Sequence, residues 1–196
     1  MPRITTSERG ATRSRFIDAA KTEFAERGLA GARFDEISLA AGHAKGTIYN
    51  YFATKEALFF TIVEDWCGQL VAGFVPNPGE GAEAELREIA RLDVEIARKD
   101  PALARVVINQ VPGLASSHDE AVAAAIAPGV NLLTGVIAAG QASGLLANVH
   151  APRTLARLFL TTLSGIEQEA LADDSELDLD DVVNLVERLF ISGLRR

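Results

Sequence analysis

The chain has 196 residues, 48% of them apolar and 23% charged, with a formal net charge of −8. That length suits one domain or two small ones and buries roughly 70% of the unfolded chain's surface, which excludes a disordered chain and any need for covalent staples. One cysteine, Cys67, excludes an intramolecular disulfide framework or cysteine-cluster zinc site, and His43, His118 and His150 lie too far apart for ligand spacing, so no metal or other cofactor is expected.

No stretch alternates with period two for long, and residues 3–75 hold no proline, so an all-α fold of about nine helices is expected. The first helix runs from about Thr12 to Arg27 on a stripe of Phe16, Ile17, Ala20 and Phe24, and Gly28 ends it as a left-handed cap. The second, about Phe34 to Ala41, turns Ile37 and Ala40 inward. Gly42-His43-Ala44 reverses the chain into a third, about Lys45 to Phe52. Thr54 caps the fourth, in which Leu58, Ile62, Val63 and Trp66 recur at helical spacing to about Phe74. After Pro76-Asn77-Pro78-Gly79, helices are expected at about 80–98, 101–110 and 118–143. Asp100-Pro101 starts the second of these and a capping box, Ser117 to Glu120, the third, which Pro128 should kink or split. Two more follow, from Pro152 to about Ala172 and over about 179–194.

Charge divides the chain. Residues 1–55 carry nine Lys/Arg against six Asp/Glu, and residues 56–196 carry ten against twenty-one. A basic head suits phosphate, and an acidic body keeps the remaining surface off it. Ten of the twelve aromatic residues lie in 1–74, so the two parts build their interiors differently, with a compositional break near Pro76–Gly79. The chain is read as two domains, 1–55 and 56–196. The start Met1-Pro2-Arg3 lacks the apolar core of a signal peptide. The uncharged run from Ala121 to Pro152 holds Pro128 and several amides, and reads as a buried helix and loop rather than a membrane span. A cytoplasmic protein with no membrane partner is expected.

Two short helices around a glycine turn, braced by a third, form a helix-turn-helix pattern. The leading edge of the second helix, Lys45-Gly46-Thr47, is slim enough for a major groove. Thr47 and Asn50 suit base edges, while Tyr49, Tyr51 and Lys55 suit flanking phosphates. One or two of Arg3, Arg9, Arg13 and Arg15 are expected on phosphate, Arg13 among them. The alternative for Tyr49 and Phe52 is a place in the core, and for the arginines a solvated run.

The segments Arg13–Ala20, Phe24–Gly28, Ile37–Gly42 and Lys45–Leu58 resemble, in order and at the expected spacings, the N-terminal domain of the TetR family of transcriptional regulators. The resemblance covers about residues 12–60. It implies an all-α homodimer, usually a repressor, that binds double-stranded operator DNA and releases it when a small-molecule effector enters the larger C-terminal domain. The alternative is a ligand-independent or activating DNA-binding protein. Two departures stand out. Ala32-Arg33 replaces the hydroxyl residue that opens the second helix in the family, and Arg33 offers a charge contact instead. His43-Ala44 replaces the small apolar residue and serine before Lys45, so His43 either touches phosphate or packs.

The family resemblance places the effector pocket among the fifth to seventh helices. Between residues 106 and 152 only Asp119 and Glu120 are charged, which suits a neutral, largely apolar molecule. Trp66, Phe74 and Phe159 are the aromatics able to edge the pocket. Asn109, Gln110, Asn131 and Gln141 are candidate polar contacts, each also readable as a structural amide. Asp93 falls mid-face among Leu86, Ile89, Ala90, Ile96 and Ala97, so it is either salt-bridged, for instance to Arg105, or a pocket group. The last two helices offer a dimer interface through Leu155, Phe159, Leu163 and Ile166, with Val182, Val186, Leu189 and Phe190, unless these pack within the subunit. No nucleophile–base pair stands out; Ser116-Ser117-His118 is only a fragment of one, and His118 with Asp119 offers too few ligands for a metal, so enzymatic activity is not expected.

Overall fold

A computed structural model describes residues 6–77, 79–116, 120–172 and 175–195, with only the backbone of 110–116. It resolves into two compact units, Met1–Ile62 and Val63–Arg196. The fourth expected helix, α3, passes through that boundary.

In the first unit α1, Thr6–Gly31, starts earlier than expected and is broken at Gly28, whose φ of 64° and ψ of 171° are not helical. Gly28 therefore ends the long helical stretch as its sequence suggests, and a separate turn follows it, closed by Ala32 N–H donating to the Gly28 carbonyl at 3.1 Å. Phe16, Ala20 and Phe24 are buried, and the Phe24 ring meets Phe59 edge-on at 5.8 Å. α2 is Phe34–Ala40. No side chain caps it, and the N–H of its N-cap residue Arg33 donates to Glu23 Oε1 at 3.1 Å. Ile37 is buried as expected, but Ala40 is exposed and Ser38 takes the inward position. A hydroxyl fits there because its Oγ donates to the Ala44 carbonyl at 2.7 Å. α3 is Lys55–Gly73, and Thr54 Oγ1 accepts the Ala57 N–H at 3.1 Å, the expected cap.

The second unit packs α4 (Gly81–Lys99), α5 (Pro101–Ser116), α6 (Glu120–Ala142), α7 (Pro152–Ala170) and α8 (Leu179–Val186), with α8 extended by a π turn, Glu187–Ile191, and a 3-10 turn, Ser192–Leu194. α7 is central, touching α5, α6 and α8, and α4 packs on α6 and α8. Asp100 Oδ1 caps α5 through the Leu103 N–H at 3.0 Å, as its sequence suggests. The capping box expected over Ser117–Glu120 includes positions outside the described residues.

α6 is not split at Pro128. Pro128 and Ala124, whose carbonyl loses its partner, both lie on the exposed face, where water replaces the missing N–H. By length and composition alone α6 would cross a membrane, with a mean hydropathy of 1.9 over its most apolar stretch. Here it buries Val122, Ile126, Val130, Leu133 and Ile137 among its neighbours. It approaches α4 so closely at Gly140 that a Cβ there would stand 2.6 Å from the Ala82 Cβ.

Candidate functional site

The exposed tip of the first unit is built by two left-handed glycines. Gly42 (φ 79°) closes α2, and Gly46 (φ 82°) stands directly before residues 47–50. The eight-residue third helix expected from Lys45 therefore shrinks to a single 3-10 turn, Thr47–Asn50. A left-handed residue cannot sit inside a right-handed helix, so Gly46 shapes the approach instead of thinning a helix face. Ile48 and Phe52 anchor the turn in the core, while Lys45, Tyr49 and Asn50 are exposed and Thr47 is half-buried. Tyr49 keeps 57% of its surface although its ring meets Phe34 edge-on at 4.9 Å.

Arginines from α1 hold this tip. Arg9 donates to the Asn50 carbonyl at 3.3 Å and lies 5.5 Å from the Tyr51 ring centre. Arg13 lies 5.0 Å from the centre of the Phe52 ring and donates to Thr61 Oγ1 at 3.4 Å. Both remain exposed, so each organises the tip and still presents positive charge. Arg33 is exposed, 3.9 Å from Glu36. His43 packs: its ring lies 5.0 Å from that of Phe16, and its Nε2 is buried without a hydrogen-bond partner.

Lys55 departs from its expected role. Its Nζ donates to the carbonyls of Ala30 at 2.9 Å and Ala32 at 3.4 Å, at the end of α1. A cation there neutralises carbonyls left open by the helix end. Lys55→Met is expected to lower stability by about 1 kcal/mol, since a charge-assisted bond is half-exposed here. The salt dependence of DNA binding should stay at the wild-type slope; denaturant titration and binding at several salt concentrations check both.

In the second unit a nearly closed cleft runs between Val63, Trp66 and Leu70 of α3, Asp93 of α4, Ile108 of α5, Ile126 of α6, and Leu160 and Ser164 of α7, leaving about 30 Å³ for water. The Trp66 indole N–H donates to Asp93 Oδ1 at 2.6 Å. Asp93 does not pair with Arg105, which is exposed. Its neighbour is Glu167, fully buried, whose two carboxyl oxygens meet no N–H or hydroxyl donor. Burial pushes Asp93 up to about 6, and burial with the adjacent Asp93 charge pushes Glu167 well above the usual carboxyl range. Burial also raises the Cys67 thiol, to about 11, so it stays protonated and unreactive.

Of the expected pocket residues, Trp66 and Asp93 meet at this cleft. The other described ones lie elsewhere. Phe74 edges a separate, open groove with Arg87 and Arg91. Asn109 is exposed, and the side chain of Gln110 lies outside the described residues. Asn131 accepts from Arg153 at 3.1 Å, and Gln141 ties down the loop after α6 through the carbonyls of Ala147 and His150. Phe159 is fully buried against Phe190. Sequence reasoning passed over Glu167, although the four-residue spacing Leu155, Phe159, Leu163 leads directly to it.

Most of the residues expected at a dimer face pack within the chain itself. Leu155, Phe159, Leu163, Val182 and Val186 are core residues of their own subunit. The apolar groups left outside are Leu158, 50% exposed, and Leu189, 66% exposed, with Ile166 and Phe190 half-buried. An amphipathic helix has one core stripe, and five of the eight residues read from sequence belong to it, while Ile166, Leu189 and Phe190 lie outside it.

The N-terminal profile of the TetR family ("Bacterial regulatory proteins, tetR family") matches residues 16–62. The HTH-type transcriptional repressor NicS of Pseudomonas putida is 28% identical over 94% of this chain and 93% of its own. The fatty acid degradation regulator FadR of Bacillus halodurans has a solved structure that superposes with a TM-score of 0.74 at 26% identity, over 93% of this chain and 99% of that one. The transcriptional regulator FadR of Bacillus subtilis, solved in complex with stearoyl-CoA, superposes with a TM-score of 0.76 at 22% identity over the same shares.

Proposed function

Because the chain belongs to the TetR family of transcriptional regulators, we propose that it is a cytoplasmic, dimeric repressor whose exposed tip reads operator DNA and which a small hydrophobic molecule releases. The observation that carries the reading is the tip itself. Lys45, Tyr49 and Asn50 stand out on a turn fastened from behind by Ile48 and Phe52 and flanked by Arg9, Arg13 and Arg33. Thr47 and Asn50 read base edges; Lys45, Tyr49 and the arginines meet phosphates. Tyr51, half-buried between Arg9 and Phe16, fixes the tip's orientation, and His43 and Lys55 support it from inside. The reading leaves no role for catalysis, in keeping with relatives that are regulators.

Two-fold pairing runs through the outer stripe of Leu158, Ile166, Leu189 and Phe190. Its exposed apolar side chains gain most from burial against a second copy. The effector enters the cleft beneath Trp66. With about 30 Å³ open, a ligand must part the helices around it, and α3 carries that displacement because it lines the cleft and begins in the DNA-binding unit. The relative solved with stearoyl-CoA supports a hydrophobic effector class.

Selection from a randomised duplex library tests the reading. A two-fold symmetric site is expected, with half-sites about one helical turn, 34–36 Å, apart. Affinity should fall with salt at a slope of about −0.9 per phosphate neutralised. Lys45→Ala should reduce that slope by about one, while Thr47→Val should change the preferred sequence. Equal affinity for selected and unselected duplexes would sink the proposal.

A further inference from the structure

The cleft wall holds a charge that no cation among the described residues cancels. Asp93 lines the cleft, 4% exposed, with one carboxyl oxygen accepting from the Trp66 indole. Behind it lies Glu167, 0% exposed, its oxygens without any N–H or hydroxyl donor. Two carboxyls in contact among hydrocarbon cannot both ionise, so one proton bridges them and Glu167 donates it to Asp93. One negative charge remains. Among the described residues, the indole is the only side-chain donor on Asp93 other than that shared proton, and no Lys, Arg or His pairs with either acid. A buried, unpaired charge is costly to the fold, and a counter-charge brought by a ligand offsets that cost.

We propose that the effector is a lipophilic amine, its ammonium seated on the Asp93 carboxylate and its hydrocarbon among Leu70, Ile108, Ile126 and Leu160. The inference rests on the reading of this cleft as the effector site and adds the chemical class. The expectation of a neutral molecule came from the uncharged stretch 106–152; the two acids come from α4 and α7, outside it. A carboxylate ligand would bring a second negative charge to the same wall, and an alcohol would leave the first one uncancelled.

Trp66, the chain's one tryptophan, reports on the site directly, because its N–H bonds Asp93. Its fluorescence in the full chain is titrated at pH 7.5 with n-octylammonium, 1-octanol and octanoate. Octylammonium is expected to bind at least tenfold tighter than octanol, and octanoate more weakly than either. In Asp93→Asn the advantage of the amine over the alcohol should fall below threefold. A second arm needs no variant. The titratable groups at the cleft are Asp93, Glu167 and Cys67, and Cys67 stays protonated in this range. Octylammonium affinity in the wild type should therefore drop about tenfold from pH 7.5 to pH 5, as Asp93 takes up a proton, with octanol unchanged. Octanol or octanoate matching the amine, an amine affinity flat in pH, or no binding by any of the three overturns the proposal. Duplex binding separates the two readings. A chain that selects a DNA site yet shows no preference for the amine remains a regulator with a different effector. One that binds the amine but no DNA site keeps its cleft chemistry and loses the regulator reading.

Discussion

Phe16→Ala is expected to abolish sequence-specific DNA binding, by at least a hundredfold, while leaving the surroundings of Trp66 intact. Phe16 is fully buried in the first unit and holds the tip from beneath, its ring 5.0 Å from His43 and 5.2 Å from Tyr51. Truncating a buried phenylalanine costs about 3–5 kcal/mol, from lost transfer energy and the cavity left behind. That is close to the whole stability a unit of this size commands. The cavity would open between α1 and the turn that carries His43, so the loss falls on the geometry that positions Lys45 to Asn50. Gel-shift titration on the selected duplex measures the first effect, and Trp66 fluorescence, from the second unit, measures the other. A variant that binds DNA within threefold of the wild type would show that the tip does not depend on this packing.

Stability should fall as pH rises from 5 to 7.5, by at least about 1 kcal/mol from Asp93 alone, the reverse of what paired surface carboxylates produce. Asp93 is pushed up to about 6 and Glu167 well above its usual value, so the folded chain holds protons that the unfolded chain has already released. The stabilisation from these two groups is complete below the unfolded values, near 4, and is lost as pH climbs through the folded ones. Glu88 and Glu187 act in the opposite sense. Hydrogen bonds from Arg91 and Arg87 hold their values down, so their contribution is lost only below the ordinary carboxyl range, outside this window. Denaturant titration at pH 5, 6 and 7.5 should show the decline, and the double variant Asp93→Asn, Glu167→Gln should flatten it. An equal slope in both proteins would mean that the two acids do not share a proton in the core.

The two sites make opposite demands on charge. At the tip, cations are kept exposed and braced by aromatic rings, which leaves them free to replace counterions on phosphate. In the cleft, acids are kept dry, and the fold bears a cost that the proposed ligand would relieve. A regulator gains from both. The first would give DNA binding that salt can tune, and the second, on the proposal above, a core whose stability depends on what occupies it.

Most of the architecture was legible in the residues. Periodicity placed the helices, proline and glycine marked the breaks, and Thr54 and Asp100 announced caps because a short polar side chain beside a helix start has few other uses. The chain's own order also carried the helix-turn-helix and the family, since both reside in local spacing within residues 12–60. Tertiary structure decided what spacing leaves ambiguous. It turned Lys55 back onto the end of α1, reduced the third helix to one turn behind Gly46, and drew Leu155, Phe159 and Leu163 into the subunit while leaving Leu158 and Leu189 outside. It also brought Glu167 against Asp93 across 74 positions of sequence. The physical reason is the same in each case. A helix's own sequence states which face is apolar, but which neighbour covers that face, and which charges become dry in consequence, depends on how several helices share one interior.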